Sequence, residues 1–117
     1  MGALSWRNYA QSLGLSSLRA CDVTIYPASH QLFIAEKNVP CTLTHLHFLE
    51  MLLSNLCKTV TRQQLMGAGD RPLLSYELNR LRVQMCSLKR LLRVHGAQIE
   101  VRTVYDFGYQ ARPIWEL

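Results

Sequence analysis

VTRQQLMGAGDRPLLSYELNRLRVQMCSLKRLLRVHGAQIEVRTVYDFGYQA, residues 60–111, is the stretch on which the fold turns. Within it Leu74, Leu78, Leu81, Met85, Leu88 and Leu92 recur at steps of four and three, the spacing of one face of an α-helix. Ser75 is placed to cap that helix and Gly96 to end it. The other face carries Asn79, Arg80, Arg82, Gln84, Lys89, Arg90 and Arg93. Upstream, Thr61 caps a short helix over Arg62–Met66, and residues 67–72 form a loop containing two glycines and Pro72. Downstream, Gln98 to Val104 alternates, with Ile99, Val101 and Thr103 on one side. Tyr105 to Gly108 makes a turn and Tyr109 to Ala111 returns as a second strand.

Towards the N-terminus the pattern changes period. Asp22 to Tyr26 alternates and then meets Pro27; Leu32 to Ala35 reads as a second strand, Glu36 to Asn38 as a turn, and Val39 to Leu43 as a third strand with Pro40 at an edge. No crossover fits between these strands, so the sheet is expected to be antiparallel. Thr44 is the expected N-cap of a helix running from His45 to Leu56, with Leu46, Leu49, Leu53 and Leu56 on one face and Phe48, Met51 and Leu52 flanking, nearly buried all round. Residues 1–20 read as an extension in which Trp6, Tyr9, Ala10 and Leu13 would line one side of a short amphipathic helix ending at Gly14. That stripe has three candidate fates: packing on the domain, a dimer contact, or a disordered arm.

The chain of 117 residues suits one domain, with 49% hydrophobic residues, a packed rather than disordered composition. No apolar run approaches the ~20 residues of a membrane span, and no basic n-region precedes an apolar core at the N-terminus. Cytoplasmic, reduced conditions are therefore expected. Cys21, Cys41, Cys57 and Cys86 form no paired clip, so buried or indifferent thiols are expected and no metal. His45 and His47 point about 200° apart on a helix and cannot share an ion. His30 falls in a turn and His95 at a helix end. No phosphate loop, nucleophile elbow or paired carboxylates occur, so neither a catalytic residue nor a cofactor is expected. Residues 1–57 balance three Lys/Arg with three Asp/Glu, whereas residues 58–117 hold ten against five. The entire net charge of +5 thus lies in the half that holds the helix pair and hairpin, which suggests a polyanionic partner.

The order is α+β: an N-terminal antiparallel sheet, three helices and a C-terminal β-hairpin, a helix-turn-helix variant with a wing. A helix so placed fits the major groove, where arginine forks onto guanine or clamps a phosphate. The chain resembles the OmpR/PhoB-type winged-helix effector domain of two-component regulators over about residues 22–111. The resemblance rests on Leu43-Thr44-x-x-x-Phe48, on Val60-Thr61-Arg62-Gln63-Gln64-Leu65, on Leu78-Asn79-Arg80-Leu81-Arg82 and on Arg102-Thr103-Val104-x-x-x-Gly108-Tyr109. It implies a four-stranded N-terminal sheet, three helices and a hairpin, with recognition-helix arginines at Arg80 and Arg82 and a phosphate-touching wing threonine at Thr103.

Departures from that pattern are also visible. Tyr105-Asp106 stands where the family carries Arg-Gly in the wing, and Glu77 brings a carboxylate to the start of the recognition helix. The first helix is about two residues shorter than the family's, and the third runs on through Lys89, Arg90 and Arg93. No receiver domain is expected within these 117 residues. The expected organisation is an extension at 1–20, a DNA-binding domain at 21–112 and a tail at 113–117. The expected function is sequence-specific binding of double-stranded DNA as a transcription regulator, through Arg62, Ser75, Tyr76, Asn79, Arg80, Arg82, Val83, Lys89, Arg102, Thr103 and Tyr105. RNA polymerase or another regulator at the 67–73 loop, and a second copy of the chain, are further candidate partners. The alternative is a winged helix repurposed for protein–protein interaction, with Tyr105, Asp106 and Glu77 as signs of lost DNA contacts. An RNA-binding winged helix is weaker still, because clustered exposed aromatics for stacking on single strands are lacking.

Overall fold

A computed structural model describes residues 16–115. The stripe of Trp6, Tyr9, Ala10 and Leu13 lies outside the described residues. The first four strands are β1 (Leu18–Ala20), β2 (Val23–Tyr26), β3 (Gln31–Ile34) and β4 (Lys37–Asn38), hydrogen-bonded in sequence order and antiparallel throughout. β1 falls within the stretch expected to be an extension, and its three residues complete the sheet by pairing Leu18 with Ile25. The expected third strand, Val39–Leu43, is replaced by the two-residue β4. Pro40 offers no N–H to a ladder, and only the Val39 amide still reaches back, to the Leu32 carbonyl at 2.9 Å.

The chain therefore enters α1 (Leu43–Ser54) two residues earlier than expected. Thr42, not Thr44, is the N-cap: its hydroxyl accepts from the His45 amide at 3.1 Å. The helix buries His45, Leu46, Phe48, Leu49, Leu52 and Leu53 but leaves Leu43, His47 and Glu50 exposed, so it is amphipathic and not buried all round. Burial pushes the His45 imidazole below its ordinary pKa, and its Nε2 lies 3.1 Å from Ser87 Oγ.

Next come β5 (Val60–Thr61), α2 (Arg62–Met66) and α3 (Ser75–Val94). Thr61 caps α2 as expected, accepting from Gln64 N at 3.1 Å. Ser75 is not the cap of α3. It is the first helical residue, Leu74 stands at the cap, and the Glu77 carboxylate accepts the Leu74 amide at 2.9 Å. Leu74 is consequently exposed and Leu78 half-buried, whereas Leu81, Met85, Leu88 and Leu92 are buried as the stripe requires. α3 ends where expected, with Gly96 at φ +66° and the Ala97 amide reaching back to Leu92 O at 2.9 Å.

The hairpin of β6 (Ile99–Val104) and β7 (Gly108–Pro113) follows, paired from Ile99 with Pro113 to Val104 with Gly108. β7 lies in the middle of a second sheet, flanked by β6 and by β5, so β6 forms an outer edge. The core is shared by both sheets and the helices: Ile25, Ile34, Leu49, Leu52, Leu88 and Ile99 are among its fully buried members. Each such aliphatic side chain contributes roughly 1.5–3 kcal/mol by leaving water. The Asp22 carboxylate accepts the Gln98 amide at 2.8 Å and so ties the first sheet to the start of β6. Among the described residues no helix is long and apolar enough to cross a membrane. None of the four cysteines is in a disulfide; Cys21 and Cys41 are half-buried, while Cys57 and Cys86 are exposed rather than core-packed.

Candidate nucleic-acid interface

The wing is fixed by a close approach of backbones. Val60 pairs with Tyr109 and Thr61 with Gly108, bringing β5 against the returning strand. A Cβ built on Gly108 would stand 2.0 Å from the Val60 carbonyl oxygen and 2.9 Å from Thr61 Cα, so only glycine fits there. From this base the Arg62 amide donates to Phe107 O at 3.1 Å, and Arg62 Nη2 donates to Asp106 O at 3.1 Å. The Phe107 amide closes the turn on Val104 O at 3.0 Å, and Asp106 takes φ +63°, the left-handed conformation this position demands. The tip is held from beneath, and Tyr105 (83% exposed) and Phe107 (65%) project from it.

Between the wing and α3 lies a cleft of about 190 Å³ lined by Arg62, Leu78, Leu81, Arg82, Thr103, Val104, Tyr105, Asp106, Gly108 and Tyr109. Tyr109, almost fully buried, forms its floor. Lys89 Nζ sits 5.6 Å from the centre of that ring and donates to Thr103 Oγ1 at 2.8 Å. Burial raises the Tyr109 phenol above its ordinary pKa, against the opposing pull of the nearby Arg82 and Arg62 charges. Three cations therefore surround one aromatic floor, and Asp106 is the only carboxylate among the lining residues. Since Lys89 supplies a proton to Thr103 Oγ1, the threonine's own hydroxyl proton is left to donate to an incoming oxygen.

Residues on a helix advance by about 100°, so the positions of α3 sort into sides. Arg80 and Arg82 are about 200° apart. Arg82 lines the wing cleft, while Arg80 lines a second cleft with Thr44, His47, Phe48, Leu65 and Gln84, on the side of α1 and α2. The two arginines thus flank the helix rather than sharing one face. The crest between them carries Tyr76, Asn79 and Val83, all exposed, together with Cys86 and Arg90. Ser75 is exposed at the start of α3. Arg102 is exposed, pairs with Glu100 and does not line the cleft.

Glu77 is not a bare carboxylate facing outward. Arg71 grips it with two hydrogen bonds of 2.8 and 2.9 Å, and the Leu74 amide adds a third. The Arg71 hydrogen bonds first, and the Leu74 amide second, lower its pKa to about 2. Its charge is therefore spent on closing the 67–73 loop over the start of α3. Sequence reasoning did not include Tyr109 among the site residues, although its place directly after Gly108, alternating with the buried Ala111, was the available signal. Phe107, in the turn between β6 and β7, likewise lies outside the expected site residues.

No protein-family model matches the sequence, and no curated protein matches it. Solved structures do. The DNA-binding domain of the response regulator AdeR, in complex with an intercistronic region, superposes with a TM-score of 0.68 at 21% identity, covering 82% of this chain and 98% of that one. The Klebsiella pneumoniae RstA DNA-binding domain, in complex with the RstA box, gives 0.69 at 18% identity over 84% of this chain and 98% of that one. The Thermotoga maritima response regulator DrrB, an OmpR/PhoB homolog, gives 0.56 at 18% identity over 91% of this chain, which spans 48% of DrrB. With its four-stranded antiparallel sheet, three helices and β5-anchored hairpin, the chain has the winged-helix fold of the OmpR/PhoB-type response-regulator DNA-binding domain.

Proposed function

We propose that the protein binds double-stranded DNA sequence-specifically as a transcription regulator in the cytoplasm, with α3 in the major groove and the 98–111 hairpin as its wing. The observation that carries this is the ring of Arg62, Arg82 and Lys89 around Tyr109, with the Thr103 hydroxyl beside it. Three cations held so close repel one another and are relieved by an anion such as a phosphate. The crest of α3 then meets the bases: Asn79 suits adenine N6 and N7, Val83 suits a thymine methyl, and Tyr76 and Ser75 lie at the helix's leading end. Arg80 and Arg82, on opposite flanks, hold the phosphate strands that border the groove. Arg102 stands outside the cleft with its charge balanced by Glu100, so in this reading it plays at most a minor part. The proposed binding unit is residues 21–112 with β1 added. The 67–73 loop, closed by Arg71 and Glu77, offers a surface to RNA polymerase or another regulator, and two copies bind repeated half-sites.

Exposed Tyr105 and Phe107 favour a second reading, in which the wing docks on a protein. Selection from a random DNA pool followed by a salt titration separates the two. If about five to seven phosphates are neutralised, log K falls against log[salt] with a slope of roughly −5 to −6. A flat response, or no binding at low salt, overturns the DNA proposal.

A further inference from the structure

We propose that the wing tip reads the minor groove with inverted chemistry: Tyr105 and Phe107 wedge against a base step while the Asp106 carboxylate accepts from the guanine N2 amine. The inference rests on the DNA-binding proposal above and adds the identity of what the wing prefers. Arg62, Arg82 and Thr103 border the same cleft as Tyr105 and Asp106, so the donors and the tip flank one trough. A sugar–phosphate strand lying there has the major groove on one side and the minor groove on the other, because each strand of a duplex separates the two. With α3 on the major-groove side, the tip beyond the strand meets the minor groove.

What the tip offers there is two exposed rings on a fixed turn and, between them, a carboxylate that can only accept. Tyr105 and Phe107 are 83% and 65% exposed, yet the turn that carries them is fixed by hydrogen bonds from Arg62 to Phe107 O and Asp106 O, and from Phe107 N to Val104 O. Those bonds draw the tip's carbonyls inward and leave the rings outward. Large apolar side chains on a stiff support are the kind that unstack base steps and kink DNA. A carboxylate beside phosphates costs affinity unless it finds a donor. In the minor groove A·T pairs show only acceptors, whereas G·C adds the N2 amine. Asp106 therefore selects G·C and rejects A-tracts. CA/TG steps both contain a G·C pair and kink easily, so they are the favoured sequence under the wing.

The test uses the full 117-residue chain and a duplex enriched from a random pool. Under the wing, guanine is replaced by inosine, which removes only the N2 amine, or the step is replaced by an A-tract, or 2-aminopurine is placed at the step. Expected are a roughly three- to tenfold loss of affinity with inosine and with the A-tract, and a rise in 2-aminopurine fluorescence on binding. Asp106→Gly, which suits the positive φ, abolishes the inosine effect; Tyr105→Ala and Phe107→Ala abolish the fluorescence rise. The inosine comparison on the unaltered chain requires no variant to fold. Equal affinity for guanine and inosine probes, or unchanged fluorescence, while Arg82→Ala still weakens binding, overturns the wing proposal and leaves DNA binding standing. Failure to enrich any duplex overturns both.

Discussion

Gly108→Ala puts the wing's anchorage to a direct test. The new Cβ would lie 2.0 Å from Val60 O, against an ordinary contact of at least 3.4 Å, so β5 and β7 must part by about 1.4 Å. Overpacking of this kind costs about 1–3 kcal/mol. Separation also breaks the Arg62 bonds to Phe107 and Asp106, at about 0.5–1.5 kcal/mol each. A total loss of roughly 2–6 kcal/mol follows, a large part of the 5–15 kcal/mol that holds a domain of this size together. Urea denaturation of parent and variant measures it, with Gly69→Ala as the comparison. Gly69, unlike Gly108, has a positive φ of +63° and nothing within 4 Å of its virtual Cβ, so its substitution costs only conformational strain, about 1–2 kcal/mol. If Gly108→Ala costs no more than Gly69→Ala, the close approach does not hold the wing.

Leu81→Ala, at a site 1% exposed, should cost about 2–5 kcal/mol in the same assay, and a variant as stable as the parent would show that the stripe of α3 is not core. Arg82→Ala should weaken binding evenly across sequences and reduce the salt slope by about one, whereas Asn79→Ala should relax preference at a single base pair; the opposite assignment would mean that flank and crest are reversed. Glu77, with a folded pKa of about 2 below its unfolded value, contributes stability that is fully present above about pH 4.5 and is lost as pH falls towards 2. The urea midpoint of the parent should therefore fall more steeply over that window than that of Glu77→Gln, and parallel curves would refute the clamp. His45, lowered by burial, contributes stability present above its unfolded value near 6.5 and lost as pH drops below it; Ser87→Ala should alter that loss, seen as a change in midpoint between about pH 7 and 5.

Legibility in the sequence followed the range of the interactions. The stripe of α3 from Leu81 onward, the stop at Gly96 and the presence of the hairpin depend on neighbours a few residues away and were readable, whereas the expected turn 105–108 is one residue too long, because Gly108 already pairs with Val104. β5 was not readable, because two residues carry no periodicity and their partners, Tyr109 and Gly108, lie far along the chain on the returning strand of the hairpin. The start of α1 moved from Thr44 to Thr42 because Pro40 ended the strand early and both threonines are equally good caps. Ser75 yielded its capping role to the Glu77 carboxylate, a contact that forms only once Arg71 folds back. The helical period alone sets Arg80 and Arg82 about 200° apart, but which flank each takes came only from the elements packed on each side. Tyr109 shows the same limit: its importance comes from Lys89, Arg62 and Arg82 closing over it.

The six residues of β6 lie at the rim of their sheet, with no strand beyond them among the described residues. Such a rim is a template on which a stray segment of another polypeptide can lay itself down, and long, flat, apolar rims nucleate aggregates. Here Glu100 and Arg102 are locked to each other and Thr103 is held by Lys89, so half of the rim carries polar groups whose partners are already chosen. The Glu100–Arg102 pair, outside the cleft, is thus positioned as a gatekeeper of colloidal stability. A chain stripped of both charges would be expected to fold and yet precipitate, failing in concentration and not in affinity.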